Sequence, residues 1–309
     1  MKNTIFKGMA TALVTPMTET GVDFDGLRKL VNWQIEQGVH ALVVIGTTGE
    51  ASTLSAEEKR AVVRCVVETA NHRVPVIAGT GANCTAHAIE NTRMACEEGV
   101  DAVLVVTPYY NKATQSGLVA HFTAVADASS VPVILYNVPG RTGCNLLPAT
   151  VKKLASHEKI VGVKEASGNM AQVVELIALC GDEIDVYSGE DALTVAMMAM
   201  GGAGCISVLS NVVPGMAAEM TNQFFAGDLS GAAKLQLKML PLIDCLFSQV
   251  NPIPAKAAVA AMGICRDILR LPLTPMEEPQ RSKLYEEMRK LGIEVCEPYF
   301  GAPTAPWAS

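Results

Sequence analysis

The chain has 309 residues; half are hydrophobic, 18% are charged, and the formal net charge is −7. That length fits a single α/β barrel, which needs about 250 residues. The negative charge and the lack of Lys/Arg clusters argue against nucleic acid as a partner. No apolar run approaches the roughly 20 residues of a membrane span, and residues 1–4 lead into a strand, so we expect a cytoplasmic protein without a membrane partner.

Cysteines and histidines give no sign of a redox or metal site. The nine cysteines include no Cys-x-x-Cys pair, and we expect them to be reduced, buried and small apolar residues. The five histidines form no i,i+4 pair. Gly79-Thr80-Gly81 is not continued into a Gly-x-Gly-x-x-Gly motif. The sequence therefore predicts no metal and no dinucleotide.

Short apolar runs alternate with helix-length segments along most of the chain. Clear helical patterns cover 27–37, 86–98 and 117–128, and a fourth helix runs from a Ser55 cap to about Asn71. The predicted strands are 9–14, 41–45, 74–78, 102–106, 131–135, 160–164, 184–187 and 203–208. Eight strand–helix repeats predict a parallel sheet closed into a (β/α)8 TIM barrel, with an open doubly wound sheet as the alternative.

The strand pattern stops after about Gly227. Segments 229–250, 254–265 and 280–291 are helical in pattern. We interpret 1–227 as a catalytic barrel, 228–295 as a C-terminal helical extension behind it, and 296–309 as a flexible tail rich in proline and small residues.

The sixth strand runs straight into Lys164, which places the lysine at the carboxyl end of a buried strand. Parallel α/β folds carry their chemistry at these ends. An ammonium group withdrawn from water loses its proton more easily, and the neutral amine can attack a carbonyl to form a Schiff base. The alternative is that Lys164 only marks where a strand reaches water.

Other strand ends carry polar groups. Residues 46–50, Gly-Thr-Thr-Gly-Glu, suit either an anion cradle built from backbone N–H groups or a tight turn. Tyr110 and Tyr136 follow or end strands four and five, and each suits either proton transfer or packing. Arg141 suits a carboxylate. Because parallel strand ends meet at one rim, we interpret the set as a Schiff-base enzyme acting on an α-keto acid and a second anionic substrate.

Four of these segments resemble the signatures of one family. They are 46–50 (GTTGE), 107–112 (TPYYNK), 136–142 (YNVPGRT) and 163–168 (VKEASG). In order and spacing they are similar to the dihydrodipicolinate synthase (4-hydroxy-tetrahydrodipicolinate synthase) family of the pyruvate-dependent class I aldolase superfamily, which includes N-acetylneuraminate lyase. The resemblance extends from about residue 5 to about residue 295.

The resemblance implies a reaction and catalytic roles. Lys164 would form an imine with pyruvate, and the derived enamine would add to L-aspartate 4-semialdehyde. Tyr136 would donate and accept protons, relayed through Thr47 to Tyr110. By resemblance, Tyr110 would enter the site of a neighbouring subunit within a homotetramer, a dimer of dimers. No cofactor is implied, because the imine itself is the electron sink.

The resemblance also implies binding roles. Thr48 and Ile206 would hold pyruvate with Gly189 nearby, and Arg141 would clamp the carboxylate of the semialdehyde. A regulatory lysine pocket is compatible with Ala51, Ser52, Asn83 and Tyr109. His87, however, stands where lysine-inhibited members carry a glutamate, and Ala56 and Lys59 stand where some carry histidines. Losing that carboxylate removes the main attraction for a ligand ammonium. We therefore expect weak or absent inhibition by lysine.

Two other functions stay open. A relative acting on a sialic acid or a keto-deoxy sugar acid would share the fold and the lysine, but Arg141 and the second threonine, Thr48, favour the synthase. A catalytically inactive barrel that only binds a ligand would not need Lys164 and Tyr136 together.

Overall fold

Eight parallel strands pair in sequence order, and the last pairs back onto the first through Met9 and Cys205. This computed structural model describes residues 2–296. The strands are β1 Gly8–Ala12, β2 Ala41–Val44, β3 Val76–Gly79, β4 Ala102–Val106, β5 Val133–Asn137, β6 Ile160–Glu165, β7 Asp185–Ser188 and β8 Gly204–Ser207. The predicted closed barrel is confirmed. The open-sheet alternative is wrong, because no strand of the eight has a free edge.

Helices cover the outside of the barrel. They are α1 Phe24–Glu36, α2 Ala56–Ala70, α3 Thr85–Glu97, α4 Gln115–Ala128, α5 Pro139–Thr142, α6 Pro148–Leu154, α7 Met170–Cys180, α8 Thr194–Ala199, α9 Pro214–Phe225, α10 Leu229–Leu246, α11 Ile253–Ala261 and α12 Gln280–Lys290. The predicted capping box of α2 is present: the Ser55 hydroxyl accepts from the Glu58 N–H, and the Glu58 carboxylate accepts from the Ser55 N–H. Between residues 2 and 296, no helix is long and apolar enough to cross a membrane.

The strands are buried on both faces, as parallel strands between a filled barrel and a helical shell must be. Alternate residues point inward and form one cluster, which includes Val43, Ile134, Tyr187 and Ile206. The remaining strand residues face the helices and join the larger outer cluster. Inside the barrel, the Phe6 and Tyr187 rings stack at 4.4 Å, and the Tyr187 hydroxyl donates to the Phe6 carbonyl. This packing fills the amino-terminal part of the barrel and leaves its other end open.

The C-terminal extension has an unusual buried helix. Every residue of α11 from Pro254 to Ala260 is buried, and the only charge in the helix, Lys256, has no exposed side-chain area. A buried charge requires a partner. Apart from Cys296, the tail predicted at 296–309 lies outside the described residues.

All nine cysteines fall within residues 2–296 and are free thiols. The prediction that they are buried is wrong for Cys84 and Cys296, which are exposed, and for Cys96 and Cys265, which are only half-buried. Cys84 stands between Asn83 and Thr85 in the N-cap position of α3, in a surface loop that follows β3.

Candidate active site

A cavity of about 450 Å³ opens among the loops that follow the strands, at the carboxyl end of the barrel. Most of the sequence-predicted site residues line it: Thr47, Thr48, Ala51, Ser52, Tyr109, Tyr136, Arg141, Lys164 and Gly189. Its lining also contains the cation Lys59 and, among the described residues, no aspartate or glutamate. The cavity is therefore a positively charged site suited to anionic ligands.

Lys164 and Tyr136 form the centre of this cavity. They are direct partners in the β5–β6 register, so their side chains leave the sheet on the same face. The Lys164 nitrogen lies 4.5 Å from the centroid of the Tyr136 ring, and the two side chains are 5% and 8% exposed. Across residues 2–296, Lys164 has neither an ion pair nor a hydrogen bond from its amine. The alternative that Lys164 marks a strand end reaching water is wrong, because the amine is buried inside the barrel mouth.

Glu165, the residue after Lys164, anchors β6 on the face of the sheet opposite to the lysine side chain. Glu165 is buried, and its carboxylate accepts from Asn137 at 3.0 Å, from Gln172 at 3.3 Å and from the Ser167 N–H at 2.7 Å. These bonds join the ends of β5 and β6 to α7. Since successive strand residues alternate in direction, anchoring Glu165 outward holds Lys164 inward. No role for Glu165 was predicted from the sequence.

Gly189 leaves space for the lysine side chain. A Cβ atom there would lie 2.6 Å from the Ala166 Cβ and 2.9 Å from the Lys164 Cε. Both distances are shorter than real Cβ contacts allow. Gly189 was predicted to lie near pyruvate, and the structure adds a steric reason for a residue without a side chain at this position.

The threonine loop 46–50 is held in a strained conformation. Ile45, which precedes the loop, and Glu50, its last residue, have φ angles of 47° and 55°, in the left-handed region. Such a φ angle is an outlier for a β-branched residue such as Ile45. Strain of this kind costs about 1–3 kcal/mol and persists only where surrounding contacts enforce it. Thr48 is buried and its hydroxyl accepts from the Asn251 side chain at 3.0 Å.

The contact that enforces the loop is a buried ion pair. The Lys256 amine bonds the Glu50 carboxylate and also donates to the carbonyls of Thr15 at 2.6 Å and Ile268 at 3.0 Å. The other Glu50 oxygen accepts from the Arg270 N–H at 3.2 Å. The prediction that the extension lies behind the barrel is therefore wrong for α11 and the segment before it. They reach the barrel mouth and support the threonine loop.

Arg141 stands at the cavity entrance in the short helix α5. Its guanidinium donates to the Asn251 carbonyl at 3.3 Å and stays exposed enough to bind a ligand. Glu190 faces the same region: burial, and then the charge of Asp191, raise the pKa of Glu190, while Lys164 and Arg141 oppose that rise.

The end of β8 is organised by Asp191, which is fully buried. Its carboxylate accepts from the Ser207 hydroxyl at 2.5 Å and from the backbone N–H groups of Val208 and Leu209, both at 3.0 Å. Burial raises the pKa of Asp191, and these donors oppose the rise. Val208 then lines the cavity, whereas Ile206, predicted to hold pyruvate, packs inside the barrel cluster.

Other predicted residues stay outside the cavity of their own chain. Tyr110 is 89% exposed, has a φ of 74°, and contacts its own chain through a backbone bond to the Thr142 carbonyl. Among residues 2–296, no hydrogen bond joins Tyr110, Thr47 and Tyr136 into a relay. Asn83 contributes only its carbonyl to Asn111, and His87 is exposed on α3.

Four residues that support this site were missed from the sequence: Glu165, Asn251, Lys256 and Asp191. A signal existed for Lys256, since a single lysine in a helix that is otherwise apolar on all sides must be buried and paired. Asn251 and Asp191 lie in polar loop segments whose sequence gives no indication of where they fold. Only their long-range contacts identify them.

A lysine amine buried beside a tyrosine in the mouth of a closed parallel barrel is the arrangement of a Schiff-base enzyme of the class I aldolase type. The model of the Dihydrodipicolinate synthetase family matches residues 5–291, and the chain belongs to that family.

Similar proteins agree with this membership. The chain is 54% identical over 286 residues to the 4-hydroxy-tetrahydrodipicolinate synthase of Geobacter sulfurreducens, covering 93% of this chain and 99% of the relative. Identity to the Geobacter metallireducens synthase and its coverage are the same. A crystal structure of the dihydrodipicolinate synthase from Acinetobacter baumannii, complexed with pyruvate, is 46% identical with a TM-score of 0.92, covering 94% of this chain and all of that one.

Replacing Gly189 with alanine should slow attack by Lys164. The added methyl group displaces the lysine side chain from its position, and misplacement of a reacting group by about 1 Å costs up to about 100-fold in rate. We expect Gly189→Ala to form a borohydride-trapped pyruvate adduct at least about tenfold more slowly. Gly21→Ala is the control, because a Cβ there meets nothing within 4 Å. Equal trapping rates in the two variants would contradict the steric role.

Replacing Lys256 with methionine should destabilise the fold. The change leaves the Glu50 carboxylate buried without its cation, which costs about 3–5 kcal/mol in the free energy of unfolding. Denaturant titration measures this loss, and Glu50→Gln in the same chain should recover part of it. Lys238→Met on the exposed face of α10 is the control and should change stability by no more than about 0.5 kcal/mol. A Lys256→Met variant as stable as this control would refute the account.

Proposed function

We propose that this chain condenses pyruvate with L-aspartate 4-semialdehyde to 4-hydroxy-tetrahydrodipicolinate, a lyase step of lysine (diaminopimelate) biosynthesis, and that Lys164 carries the reaction. The observation that supports the role of Lys164 is its amine, buried in the cavity beside Tyr136 and unpaired within the described residues. Relatives that are 54% identical over nearly the whole chain bear the name of this synthase.

The first step forms the imine. The Lys164 nitrogen attacks the ketone carbon of pyruvate, the ketone oxygen leaves as water, and a C=N bond replaces the C=O bond. The Tyr136 ring lies next to the amine, and its hydroxyl is the proposed carrier of the protons that this exchange requires. The buried, positively charged cavity favours the pyruvate carboxylate, and the Thr48 hydroxyl is the proposed group that binds it.

The second step makes the carbon–carbon bond. Loss of a methyl proton converts the imine to an enamine, whose carbon attacks the aldehyde of the second substrate, and the aldehyde oxygen becomes a hydroxyl. The substrate's own amine then attacks the imine carbon and closes the ring, and Lys164 leaves as a free amine. Arg141 at the cavity entrance is the proposed partner of the semialdehyde carboxylate. In total, one molecule of water is released.

The proton relay and assembly belong to the same proposal. Tyr110, exposed on its own chain, would enter the site of a second copy and complete the relay through Thr47, within a homotetramer. What supports this is the exposure of a large aromatic ring on a backbone held at positive φ. We also propose that each subunit consists of a catalytic barrel, residues 1–227, and a C-terminal helical extension, residues 228–295. Cytoplasmic location is also part of the proposal.

Borohydride trapping tests the role of Lys164. The unsubstituted chain should gain a pyruvate adduct on Lys164, whereas Lys164→Arg keeps the charge but loses nucleophilicity and should gain none. Lys153→Arg, at an exposed position on α6, should be trapped like the unsubstituted chain. Product formation is then measured with aspartate semialdehyde, with sialic acid and keto-deoxygluconate as the alternatives. An adduct in Lys164→Arg, or activity only on the sugar acids, would overturn the assignment.

Lysine should inhibit this enzyme weakly. The residues proposed for a regulatory pocket include the cavity-lining Ala51, Ser52 and Tyr109 together with His87, and they contain no carboxylate for the ammonium group of the ligand. We expect half-inhibition by L-lysine only above the millimolar range, and His87→Glu should lower that concentration. Half-inhibition of the unsubstituted enzyme well below the millimolar range would refute the prediction.

A further inference from the structure

Asn251 is a buried amide in the cavity with one atom unused. It is 6% exposed, lines the cavity, and precedes α11. Its side-chain N–H₂ donates to the Thr48 hydroxyl at 3.0 Å, and its backbone carbonyl accepts from Arg141 at 3.3 Å. Its side-chain oxygen is buried and has no hydrogen-bond partner among the described residues. Buried polar atoms are nearly always hydrogen-bonded, so this one indicates a ligand donor.

The surrounding groups limit what that donor can be. The charged groups that line the cavity, Lys59, Arg141 and Lys164, are all cationic, and carboxylates are absent from its described lining. Pyruvate brings a carboxylate and a ketone and has no N–H or O–H donor to offer an amide oxygen. The second substrate can supply such a donor, close to the carboxylate that Arg141 is proposed to bind. In an α-amino acid, the amine and the carboxylate share one carbon.

We propose that the Asn251 side-chain oxygen accepts a hydrogen bond from the α-amine of the aldehyde substrate while Arg141 binds its carboxylate. This inference rests on the proposed function and adds a selectivity for the aldehyde substrate. The site recognises a 2-amino-4-oxo acid and discriminates against a 4-oxo acid that lacks the amine. The contact between the Arg141 guanidinium and the Asn251 carbonyl places the two recognition groups side by side.

A neutral amide is the chemically suitable acceptor for this amine. The amine must lose its proton before it can attack the imine carbon and close the ring. A carboxylate at position 251 would stabilise the protonated, unreactive ammonium, whereas an amide oxygen orients the amine without adding a negative charge. Asn251 is accordingly a specificity-determining residue that acts after the pyruvate imine has formed.

The test compares two aldehydes in two variants. Asn251→Ala should raise the KM for aspartate semialdehyde about tenfold to 100-fold, the usual effect of removing a hydrogen bond to a charged or ionisable group. The inhibition constant of succinate semialdehyde, which lacks the amine, should change less than about threefold, as should the rate of borohydride trapping at saturating pyruvate. Asn251→Asp keeps an acceptor; it should keep the KM for aspartate semialdehyde near its original value and lower kcat by stabilising the ammonium.

Other outcomes are equally informative. Trapping at the normal rate proves that a variant is folded. If Asn251→Ala weakens both aldehydes equally, Asn251 only positions Thr48 and Arg141, and the inference is overturned. Ser248→Ala is the matched control, because Ser248 is an exposed neighbour whose hydroxyl, within residues 2–296, bonds only the Cys245 carbonyl. If the unsubstituted enzyme is trapped by pyruvate but makes no product from aspartate semialdehyde, the proposed substrate fails, and the inference fails with it.

Discussion

Closure of the eight-stranded barrel is the constraint on which the rest of this structure depends. Because β8 pairs with β1, every strand is bonded on both sides and all strand ends that carry polar residues surround one opening. The register between β5 and β6 then places Tyr136 beside Lys164, on the same face of the sheet. An amine at this depth is shielded by the barrel wall, while the loops above it remain free to bind ligands. Rigid strands thus position the reactive group, and the loops supply recognition.

Buried charges outside the cavity hold the loops that line it. The Lys256–Glu50 pair fixes the threonine loop, Asp191 fixes the turn after β8, and Glu165 joins the ends of β5 and β6. Each of these charges is compensated by several hydrogen bonds, without which its burial would be strongly unfavourable. Such pairs contribute little net stability compared with apolar packing, but they allow only one arrangement of the backbone. Their value here is in positioning, which also explains how the left-handed residues Ile45 and Glu50 are maintained.

The cavity of one chain combines cations with neutral acceptors. Arg141 and Lys164 supply positive charge, and Asn251 supplies a neutral amide oxygen without a hydrogen-bond partner among the described residues. Burial raises the pKa of the nearby Glu190, and the charges of Lys164 and Arg141 oppose that rise. Tyr110 lies outside this arrangement, on the surface, with its ring in solvent. This exposure is the observation on which the proposed role of Tyr110 in a second copy rests.

The sequence by itself determined the fold class and the main chemistry. Apolar runs alternating with helical segments predicted all eight strands. Because the carboxyl ends of the strands in a parallel barrel converge at one rim, the polar residues at these ends could be predicted to form one site: Lys164, Tyr136, Thr47, Thr48 and Arg141. Tertiary structure alone decided that Ile206 packs inside the barrel, that α11 reaches the mouth rather than the back, and that Asn251 contacts Thr48 across more than half of the chain. Local sequence patterns indicate which face of a helix or strand is apolar. Contacts between distant segments depend on how whole elements pack, and no local pattern encodes that.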